Sequence, residues 1–407
     1  MVRRVGVIFL LLVMLVSCDR TPMPSPVKPD VIEKGDTARR TLLVYMMAEN
    51  SLNGYTSSDI SEIRRAVPQI PSDCRIFVYV DDSDAPKLTH YYRMTDGEVG
   101  SVDVDVFTKD VCSSDTAALG VVLDCILDGY PTGELDMVLW SHGDGWLPDY
   151  ARNSAPCRTI GIDNGRNTNS NLTTRAIEIA ELAALLERLP VKVDRLLFDA
   201  CFMQGVEVAY ALRDAVQWVI ASPAEIPGDG APYDSIVRAF FDTDGVEQIL
   251  ENYKAAYEDG YMGVVLSAAY MPAMQRLADE TYSNICTYFN SDRKRDYLNV
   301  FAYLPGGAQG TGGAMPCYYD ANAVMKRYLS DAEYVIWKDA LDAAVPYAVT
   351  TGSWYSIYSR NRIFVDLELY SGISIYMPQS TSRYSSLNVA FSATEWYGAA
   401  GWGAAGW

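Results

Sequence analysis

LDMVLWSHGDGW, at residues 135–146, is an apolar run that gives way abruptly to small and polar residues. VDRLLFDAC, at residues 193–201, repeats this arrangement. A short apolar run with such an ending is typical of a buried parallel strand that reaches its carboxyl end. Ligands bind at that edge of an open α/β sheet. The two runs therefore predict that His142 and Cys201 meet at one functional edge.

A histidine and a cysteine brought together in this way are suited to nucleophilic catalysis, with the thiol as nucleophile and the imidazole as its acid–base partner. The chain has only two histidines, and the other, His90, lies in an alternating stretch that is typical of an ordinary strand. The structural alternatives are a histidine in a glycine-rich turn and a buried cysteine that acts as a small apolar side chain. Gly143 and Gly145 favour catalysis, because they leave room for a substrate backbone.

Three segments resemble the clostripain family of cysteine peptidases, which belongs to the caspase-like group. The segments are LWSHGDGW at 139–146, LLFDACFMQGVEVAYALRD at 196–214 and ASPAEIPGDGAPYDSI at 221–236. Weaker similarity in LLVYMMAEN at 42–50 and SGISIYMP at 371–378 extends the resemblance over residues 41–407.

The resemblance implies an α/β fold with a caspase-like, mostly parallel sheet flanked by helices, and the activity of a cysteine endopeptidase. Cys201 would attack the scissile carbonyl to form a thioester, and His142 would protonate the leaving amine and then activate water. The backbone amides of Gly143 and Cys201 would bind the oxyanion. The competing interpretation is a non-enzymatic surface lipoprotein that uses a caspase-like fold for binding. Loss of His142 or Cys201 would be its signature, and both are present.

The chain divides into four parts. Residues 41–242 alternate strand-like and helix-like pieces, which indicates a catalytic domain built on a mostly parallel sheet. The strands are predicted at 41–47, 75–81, 135–141, 194–200 and 216–222, and the helices at 56–67, 114–129, 173–188 and 203–213. Residues 243–407 are expected to form a helix-rich C-terminal accessory region packed on the sheet, with long helices at 245–258, 271–289 and 331–344.

The first two parts indicate export. In residues 1–17, Arg3 and Arg4 precede an uncharged apolar run that is typical of a signal peptide and too short to span a bilayer. LVSC at 15–18 resembles a bacterial lipobox, which predicts lipidation of Cys18. Residues 18–40 are proline-containing and predict a flexible tether. We therefore expect a lipid-anchored protein of the bacterial cell envelope, on the periplasmic face or the outer surface; the alternative is a plain secretory signal.

Two aspartates predict cleavage after arginine or lysine. Asp199 lies two residues before Cys201 in an otherwise apolar strand, where an unpaired carboxylate would be costly. A basic side chain of the substrate would provide the partner. Asp229 lies in a PGDG segment that matches the family's pocket loop. The alternatives are that Asp199 caps the next helix or pairs with Arg195 or Arg213, and that Asp229 belongs to an ordinary turn.

A polar insertion at 148–171 separates the two motif strands and predicts self-processing. Related enzymes are made as zymogens, and an exposed polar loop is where proteolysis concentrates. The insertion contains Arg152, Arg158 and Arg166, which match the predicted specificity. We expect cleavage at the Arg158–Thr159 bond, with Arg152 as the next candidate.

Composition limits the partners and cofactors. A net charge of −19 argues against binding to nucleic acid or to an anionic membrane surface, and leaves the lipid anchor as the expected membrane contact. The spacing of cysteines and histidines predicts no metal site, and no cofactor is expected to be required. Calcium stays open, because clostripain-like enzymes can depend on it, although no EF-hand loop is present. We expect a monomer that acts on peptides or proteins containing arginine or lysine. The pairing of the remaining cysteines is left open.

Overall fold

The structure is a computed structural model that describes residues 37–82, 86–94, 98–107, 109–147, 159–165, 176–297, 299–304 and 317–407. Its strands are β1 (Ala38–Met47), β2 (Cys74–Asp81), β3 (Lys87–Arg93), β4 (Val99–Val104), β5 (Thr132–Trp140), β6 (Val193–Asp199), β7 (Val216–Ala221), β8 (Val265–Tyr270), β9 (Tyr319–Asp320), β10 (Tyr347–Thr350), β11 (Ser353–Ser356), β12 (Asn361–Phe364) and β13 (Ser374–Ile375). Its α-helices are α1 (Thr56–Ala66), α2 (Thr116–Gly129), α3 (Ile179–Leu186), α4 (Val206–Ala211), α5 (Tyr233–Ile236), α6 (Gly245–Tyr257), α7 (Met274–Tyr288), α8 (Ala321–Tyr328), α9 (Asp331–Ala344), α10 (Ser385–Ser392) and α11 (Glu395–Ala399).

A nine-stranded sheet forms the centre of the molecule, in the order β10-β8-β7-β6-β5-β1-β2-β3-β4. The five middle strands, β7, β6, β5, β1 and β2, run parallel to one another. The strands beyond them at both sides, β8 and β10 and then β3 and β4, are antiparallel to their neighbours. The predicted mostly parallel, caspase-like sheet with flanking helices is confirmed.

Both faces of the sheet are covered, which explains why the central strands are almost continuously apolar. Along β1, the odd-numbered residues from Leu43 to Met47 join the core that includes α2, α3, α4 and α7. The even-numbered residues from Leu42 to Met46 join the core on the other face, which includes α1, α5 and α6. Because successive side chains of a strand point to opposite faces, one strand serves two cores. Each buried leucine or valine stabilises the fold by about 1.5–3 kcal/mol.

The amino ends of the central strands are held by buried ion pairs. Arg40 of β1 contacts Asp136 of β5 at 2.8 Å and Asp194 of β6 at 2.9 Å. Asp136 is fully buried and also accepts a hydrogen bond from the Arg195 amide at 3.1 Å. Charges of both signs therefore connect three adjacent strands at the edge opposite to the predicted site.

The region after residue 242 is more closely integrated than expected. The three predicted long helices are present as α6, α7 and α9. However, β8 and β10 from the same region extend the nine-stranded sheet beside β7, whereas we expected a helical region packed on the sheet. The strand β8 was not predicted because it is formed by the short apolar run VVLSAAY at 264–270, which is almost completely buried. Periodicity alone cannot distinguish such a run from part of a buried helix.

Several predictions fall on residues outside the described ranges. These are the signal peptide, the lipidated Cys18, most of the tether, and Arg152, Arg158 and Arg166 of the insertion. They stay predictions. Among the helices that the structure does describe, none has the length and apolar character needed to cross a bilayer.

Candidate active site

His142 and Cys201 follow adjacent strands at the same level of the sheet. Trp140, the last residue of β5, pairs with Asp199, the last residue of β6. His142 and Cys201 each lie two residues beyond this pair, in loops at the carboxyl edge, and both are partly exposed. The structure therefore brings the two predicted residues to neighbouring, accessible positions.

The imidazole of His142 is positioned by the loop that follows β1. Its Nε2 lies 2.9 Å from Oγ of Ser51, within hydrogen-bond distance. The carbonyl of His142 accepts a hydrogen bond from the Gly161 amide at 3.0 Å. Burial lowers the pKa of His142, because desolvation disfavours the imidazolium form. The ring is therefore neutral at neutral pH and able to accept a proton.

The thiol of Cys201 lies in a surrounding that disfavours the thiolate. Its Sγ accepts a long hydrogen bond of 3.4 Å from the Ile226 amide. Burial raises the pKa of Cys201 to about 12, and the carboxylates of Glu225 and Asp144 add to this rise. With the pKa of His142 lowered, the free protein holds a neutral thiol and a neutral imidazole. Nucleophilic attack by this sulfur would therefore require the thiol to lose its proton.

The chain turns sharply immediately after Cys201. Phe202 has a φ of 62°, which is rare for a bulky residue. Its ring stacks on Tyr318, with ring centroids 4.7 Å apart, and its amide donates to the Ala224 carbonyl at 2.9 Å. These contacts maintain the strained conformation, and strain of this kind concentrates at functional sites.

Gly143 allows the two motif loops to approach closely. A Cβ at this position would lie 2.9 Å from the carbonyl oxygen of Cys201 and 2.8 Å from Sδ of Met203. Within the described part of the chain, the amides of Gly143 and Cys201 donate no hydrogen bond to a protein acceptor. Two amides that are not used within the fold are suited to receiving a developing oxyanion.

Asp199 is buried and bound by protein groups. Its Oδ2 accepts hydrogen bonds from the Ala231 amide at 3.0 Å and from Oη of Tyr233 at 2.9 Å. Oη of Tyr253 lies 3.4 Å from Oδ1. Burial raises the pKa of Asp199 to about 6, against the effect of these donors. The carboxylate also lies beneath Gly230, where a Cβ would be 2.9 Å from Oδ2. Asp199 therefore anchors the loop that carries Asp229.

This arrangement differs from the predicted orientation of Asp199, and it also excludes one of the alternatives, the pairing with an arginine of the protein. The strand ends at Asp199, so side-chain alternation does not continue to Cys201, and the two side chains pack against opposite cores. The two arginines considered as partners bind elsewhere: Arg195 donates to the Phe240 carbonyl at 2.7 Å, and Arg213 pairs with Glu395. The partners of Asp199 are neutral donors.

An acidic pocket of about 300 Å³ lies between α1 and the PGDG loop. It is lined by Tyr55, Ser58, Asp59, Glu62, Asp229, Pro232, Ala256 and Tyr257. None of these lining residues is basic. Burial, followed by the charge of Asp199, raises the pKa of Asp59 to about 8. The pocket thus holds three carboxyl groups with a fourth close by, and it brings the predicted Asp229 together with two acids from α1.

Sequence reasoning missed Asp59, Glu62 and Ser51. Asp59 had a detectable signal, because it lies on the buried face of α1 with Thr56, Ile63 and Ala66. An acid on the apolar face of an amphipathic helix is unusual and merits a functional explanation. Ser51 had no such signal, since its role depends on the pairing of β1 with β5.

A sequence model of the clostripain family matches residues 44–407 of the chain. No curated protein sequence matches it significantly.

The chain is similar to several solved structures, among them the following three. An inactive zymogen C11 protease from Parabacteroides distasonis is 26% identical, with a TM-score of 0.76 over 90% of this chain and 99% of that chain. A secreted C11 cysteine protease from Bacteroides thetaiotaomicron, in complex with an irreversible peptide inhibitor, is 27% identical, with a TM-score of 0.76 over 90% of this chain and 100% of that chain. A B. fragilis cysteine protease is 32% identical, with a TM-score of 0.51 over 59% of this chain and 98% of that chain.

Proposed function

Because the chain belongs to the clostripain family of cysteine peptidases, we propose that it is an endopeptidase in which Cys201 is the nucleophile and His142 is the acid–base partner. Membership of this family disfavours the alternative of a non-enzymatic binding protein. The observation that carries the assignment is the placement of both side chains two residues beyond the directly paired Trp140 and Asp199.

The geometry supports the following sequence of events. The scissile carbonyl binds beside Cys201, with its oxygen towards the amides of Gly143 and Cys201, which donate to no acceptor among the described residues. The thiol gives its proton to the neutral imidazole of His142 as sulfur attacks the carbonyl carbon, and the thioester forms when the resulting imidazolium passes that proton to the departing amine. Water, activated by the neutral imidazole, then hydrolyses the thioester.

Substitution of either member tests the dyad. We expect Cys201→Ala and His142→Ala each to lower kcat/KM by about 10³-fold or more without changing the melting temperature. Cys286→Ala is the matched control, because Cys286 is a free, exposed thiol on α7. If Cys201→Ala hydrolysed peptides at a rate close to that of the parent, the assignment of Cys201 as the nucleophile would be wrong.

We assign the specificity for arginine and lysine to the acidic pocket. The support is its three carboxyl groups, its lack of a basic lining residue and the carboxylate of Asp199 behind the PGDG loop. Asp229 is exposed, so its attraction to a substrate cation is screened and small. Asp199 is buried and acts both through its charge and by fixing the loop that carries Asp229.

Two peptides that differ only in charge test this specificity. One peptide has arginine before the scissile bond, and the other has citrulline, its uncharged isostere. We compare the two by the ratio of kcat/KM for the arginine peptide to kcat/KM for the citrulline peptide. This ratio does not depend on the fraction of enzyme that is active. We expect the ratio to fall about fivefold in Asp229→Asn and about 10–100-fold in Asp199→Asn. Asp259→Asn, an exposed acid beyond α6, should leave it unchanged. A parental enzyme that prefers citrulline, or an acidic residue, would contradict the proposal.

Self-processing within the insertion is also proposed. The described residues on its two sides are anchored: Leu147 is buried, and the Asp144 amide donates to the Thr159 carbonyl at 3.2 Å. Thr159 is itself fully buried and donates to Glu178 at 3.0 Å. Cleavage at Arg158–Thr159 therefore requires Thr159 to leave its site, whereas cleavage after Arg152 does not. We therefore propose Arg152 as the preferred cleavage site and Arg158 as the second, which reverses the order expected from the sequence.

Intact mass measurement and N-terminal sequencing identify the cleaved bond. The parent should give two fragments on a denaturing gel and one species in native sizing, because each fragment contributes central strands to one sheet. Arg152→Ala should slow processing more than Arg158→Ala does, and Cys201→Ala should stay intact. An active preparation that remains a single chain would refute self-processing and leave the peptidase assignment in place.

A further inference from the structure

The hairpin of β11 and β12 exposes two large side chains at its tip. Ile357 is 66% exposed, and Tyr358 is 39% exposed. They lie between Ser356, the last residue of β11, and Asn361, the first residue of β12, which pair with each other. Single exposed apolar side chains are common, so the position of these two in the molecule decides what they mean. We refer to Ile357 and Tyr358 as the hairpin tip.

Two contacts bring the hairpin tip to the nucleophile. The buried carboxylate of Glu225 accepts hydrogen bonds from the two amides of the hairpin tip, at 2.7 Å and 3.3 Å. Glu225 directly precedes Ile226, whose amide donates to Sγ of Cys201. The ring of Tyr358 also lies 6.2 Å from the ring of Phe202, the residue after Cys201. The hairpin tip is therefore beside the thiol.

The hairpin holds its tip in a defined position. Trp354 of β11 is fully buried, and its ring centroid lies 6.0 Å from that of Tyr303. Within the turn, the Ser359 amide donates to Oγ of Ser356 at 3.1 Å. Nδ2 of Asn361 donates to the carbonyl of Ser359 at 2.9 Å. Because these contacts fix the turn in advance, a ligand that binds to the hairpin tip does not have to order it.

The order of the strands decides which part of a substrate reaches the hairpin tip. His142 follows β5, Cys201 follows β6 and Glu225 follows β7, and these three strands are neighbours in this order. In the proposed mechanism His142 protonates the leaving amine, so the residues after the scissile bond lie on its side of Cys201. The residues before the scissile bond therefore lie on the other side, towards Glu225 and the hairpin tip.

The two faces of the sheet indicate which of these residues it is. The acidic pocket lies on the face of α1, α5 and α6, and its Tyr55 and Tyr257 pack against that core. Phe202 and Trp354, which support the hairpin tip, belong to the core of the opposite face. Successive side chains of an extended peptide point in opposite directions. When arginine or lysine enters the acidic pocket, the residue that precedes it therefore points towards the hairpin tip.

On the basis of the proposed function, we infer that the hairpin tip binds an apolar side chain in the residue that directly precedes the arginine or lysine. Ile357 and Tyr358 supply apolar surface, whose removal from water favours binding. An acidic side chain is disfavoured, because the Glu225 carboxylate lies within hydrogen-bond distance of the tip's amides. Glu225 is a positioning residue, since it holds the hairpin tip and does not touch the substrate.

Peptides that differ only in this residue test the inference. They carry leucine, alanine or aspartate before the arginine, and the leucine-to-alanine ratio of kcat/KM measures the subsite. We expect a ratio of about five in the parent, as for partial burial of a leucine side chain, and the slowest hydrolysis for the aspartate peptide. Ile357→Ala should lower the ratio to below about two. Val335→Ala is the matched control, because Val335 on α9 is also 66% exposed, and it should leave the ratio unchanged.

Two substitutions of Glu225 test its positioning role. Glu225→Ala removes the acceptor of the two amides, so we expect the leucine-to-alanine ratio to fall to below about two. Glu225→Gln keeps an acceptor oxygen and should keep the ratio close to that of the parent. The same thiol attacks both peptides, so a change in the pKa of Cys201 affects both rates alike and leaves the ratio unchanged.

Binding to the full-length Cys201→Ala protein separates this inference from the proposed mechanism. Fluorescence anisotropy measures the affinity of labelled peptides without hydrolysis, and we expect the leucine peptide to bind about fivefold more tightly than the alanine peptide. The comparison is repeated with citrulline in place of arginine. A leucine preference in both series, in an enzyme that does not prefer arginine, would refute the specificity assigned to the acidic pocket and support the hairpin tip as a subsite.

Three outcomes would overturn the inference. The first is equal binding and equal hydrolysis of the leucine and alanine peptides by the parent site. The second is an undiminished leucine-to-alanine ratio in Ile357→Ala. The third is a preference for the aspartate peptide, which would assign the subsite to Arg360, an exposed cation in the same turn.

Discussion

Iodoacetamide should alkylate Cys201 slowly in the free enzyme, since burial raises the pKa of its thiol to about 12. At pH 7, a thiol with this pKa is about 10⁻⁵ ionised, whereas an ordinary cysteine with a pKa of about 8.5 is about 3% ionised. The thiolate fraction is therefore about 3000-fold smaller. The more basic thiolate is also more nucleophilic, and a Brønsted slope of about 0.4–0.5 recovers about 30-fold. The net expectation is alkylation about 100-fold slower than that of an ordinary thiol.

Peptide mass spectrometry after timed alkylation measures this rate directly. Cys286 is free and exposed, so it provides an internal reference in the same sample. We expect Cys201 to react about 100-fold more slowly than Cys286 at pH 7 and its rate to rise about tenfold per pH unit up to pH 9. His142→Ala should leave the rate at Cys201 within about threefold of the parent, because the neutral imidazole does not stabilise a thiolate before substrate binds.

A preformed thiolate–imidazolium pair would give the opposite pattern. Cys201 would then react faster than Cys286 and at a rate nearly constant between pH 6 and pH 8. His142→Ala would slow the reaction strongly, since removal of the imidazolium would return the thiol to its raised pKa. Any of these three observations would refute the neutral resting state of Cys201 and His142.

Two further substitutions test the framework of the site. Asp136→Ala removes the only fully buried carboxylate among the described partners of Arg40 and leaves that arginine the partly exposed Glu134 and Asp194, so we expect chemical denaturation to show a loss of about 1.5–3 kcal/mol. Asp73→Ala removes an exposed ion pair and should not measurably change the free energy of unfolding. If Asp73→Ala were as destabilising as Asp136→Ala, burial would not be the cause of the loss. Gly143→Ala places a Cβ 2.9 Å from the Cys201 carbonyl, so we expect at least a 100-fold loss of kcat/KM and a lower melting temperature. Gly129→Ala, at the end of α2, meets no atom within 4 Å, so we expect unchanged activity and a melting temperature equal to or above that of the parent. A fully active Gly143→Ala enzyme would exclude the close approach of the two loops.

The central strands and the two catalytic candidates could be predicted from the sequence, because their signals are local. A buried parallel strand must be apolar on both faces, and its end is marked by an abrupt change to small and polar residues, as at His142 and Cys201. Parallel pairing then brings such ends to one edge, so no long-range contact had to be known in advance. The strand β8 was missed for the converse reason, since a short buried run carries no periodicity that distinguishes strand from helix.

Only the tertiary structure could decide the surroundings of these residues. Side-chain alternation along a strand did not predict the direction of Asp199 relative to Cys201, because β6 ends at Asp199. The hydrogen-bond donors to Asp199 come from the loop after β7 and from α5 and α6. The acidic pocket combines Asp59 and Asp229, which are 170 positions apart in the sequence. Electrostatic interactions act through space between groups that the fold places together. The sequence therefore determined which chemistry the sheet edge presents, whereas the fold determined which charges lie close enough to direct it.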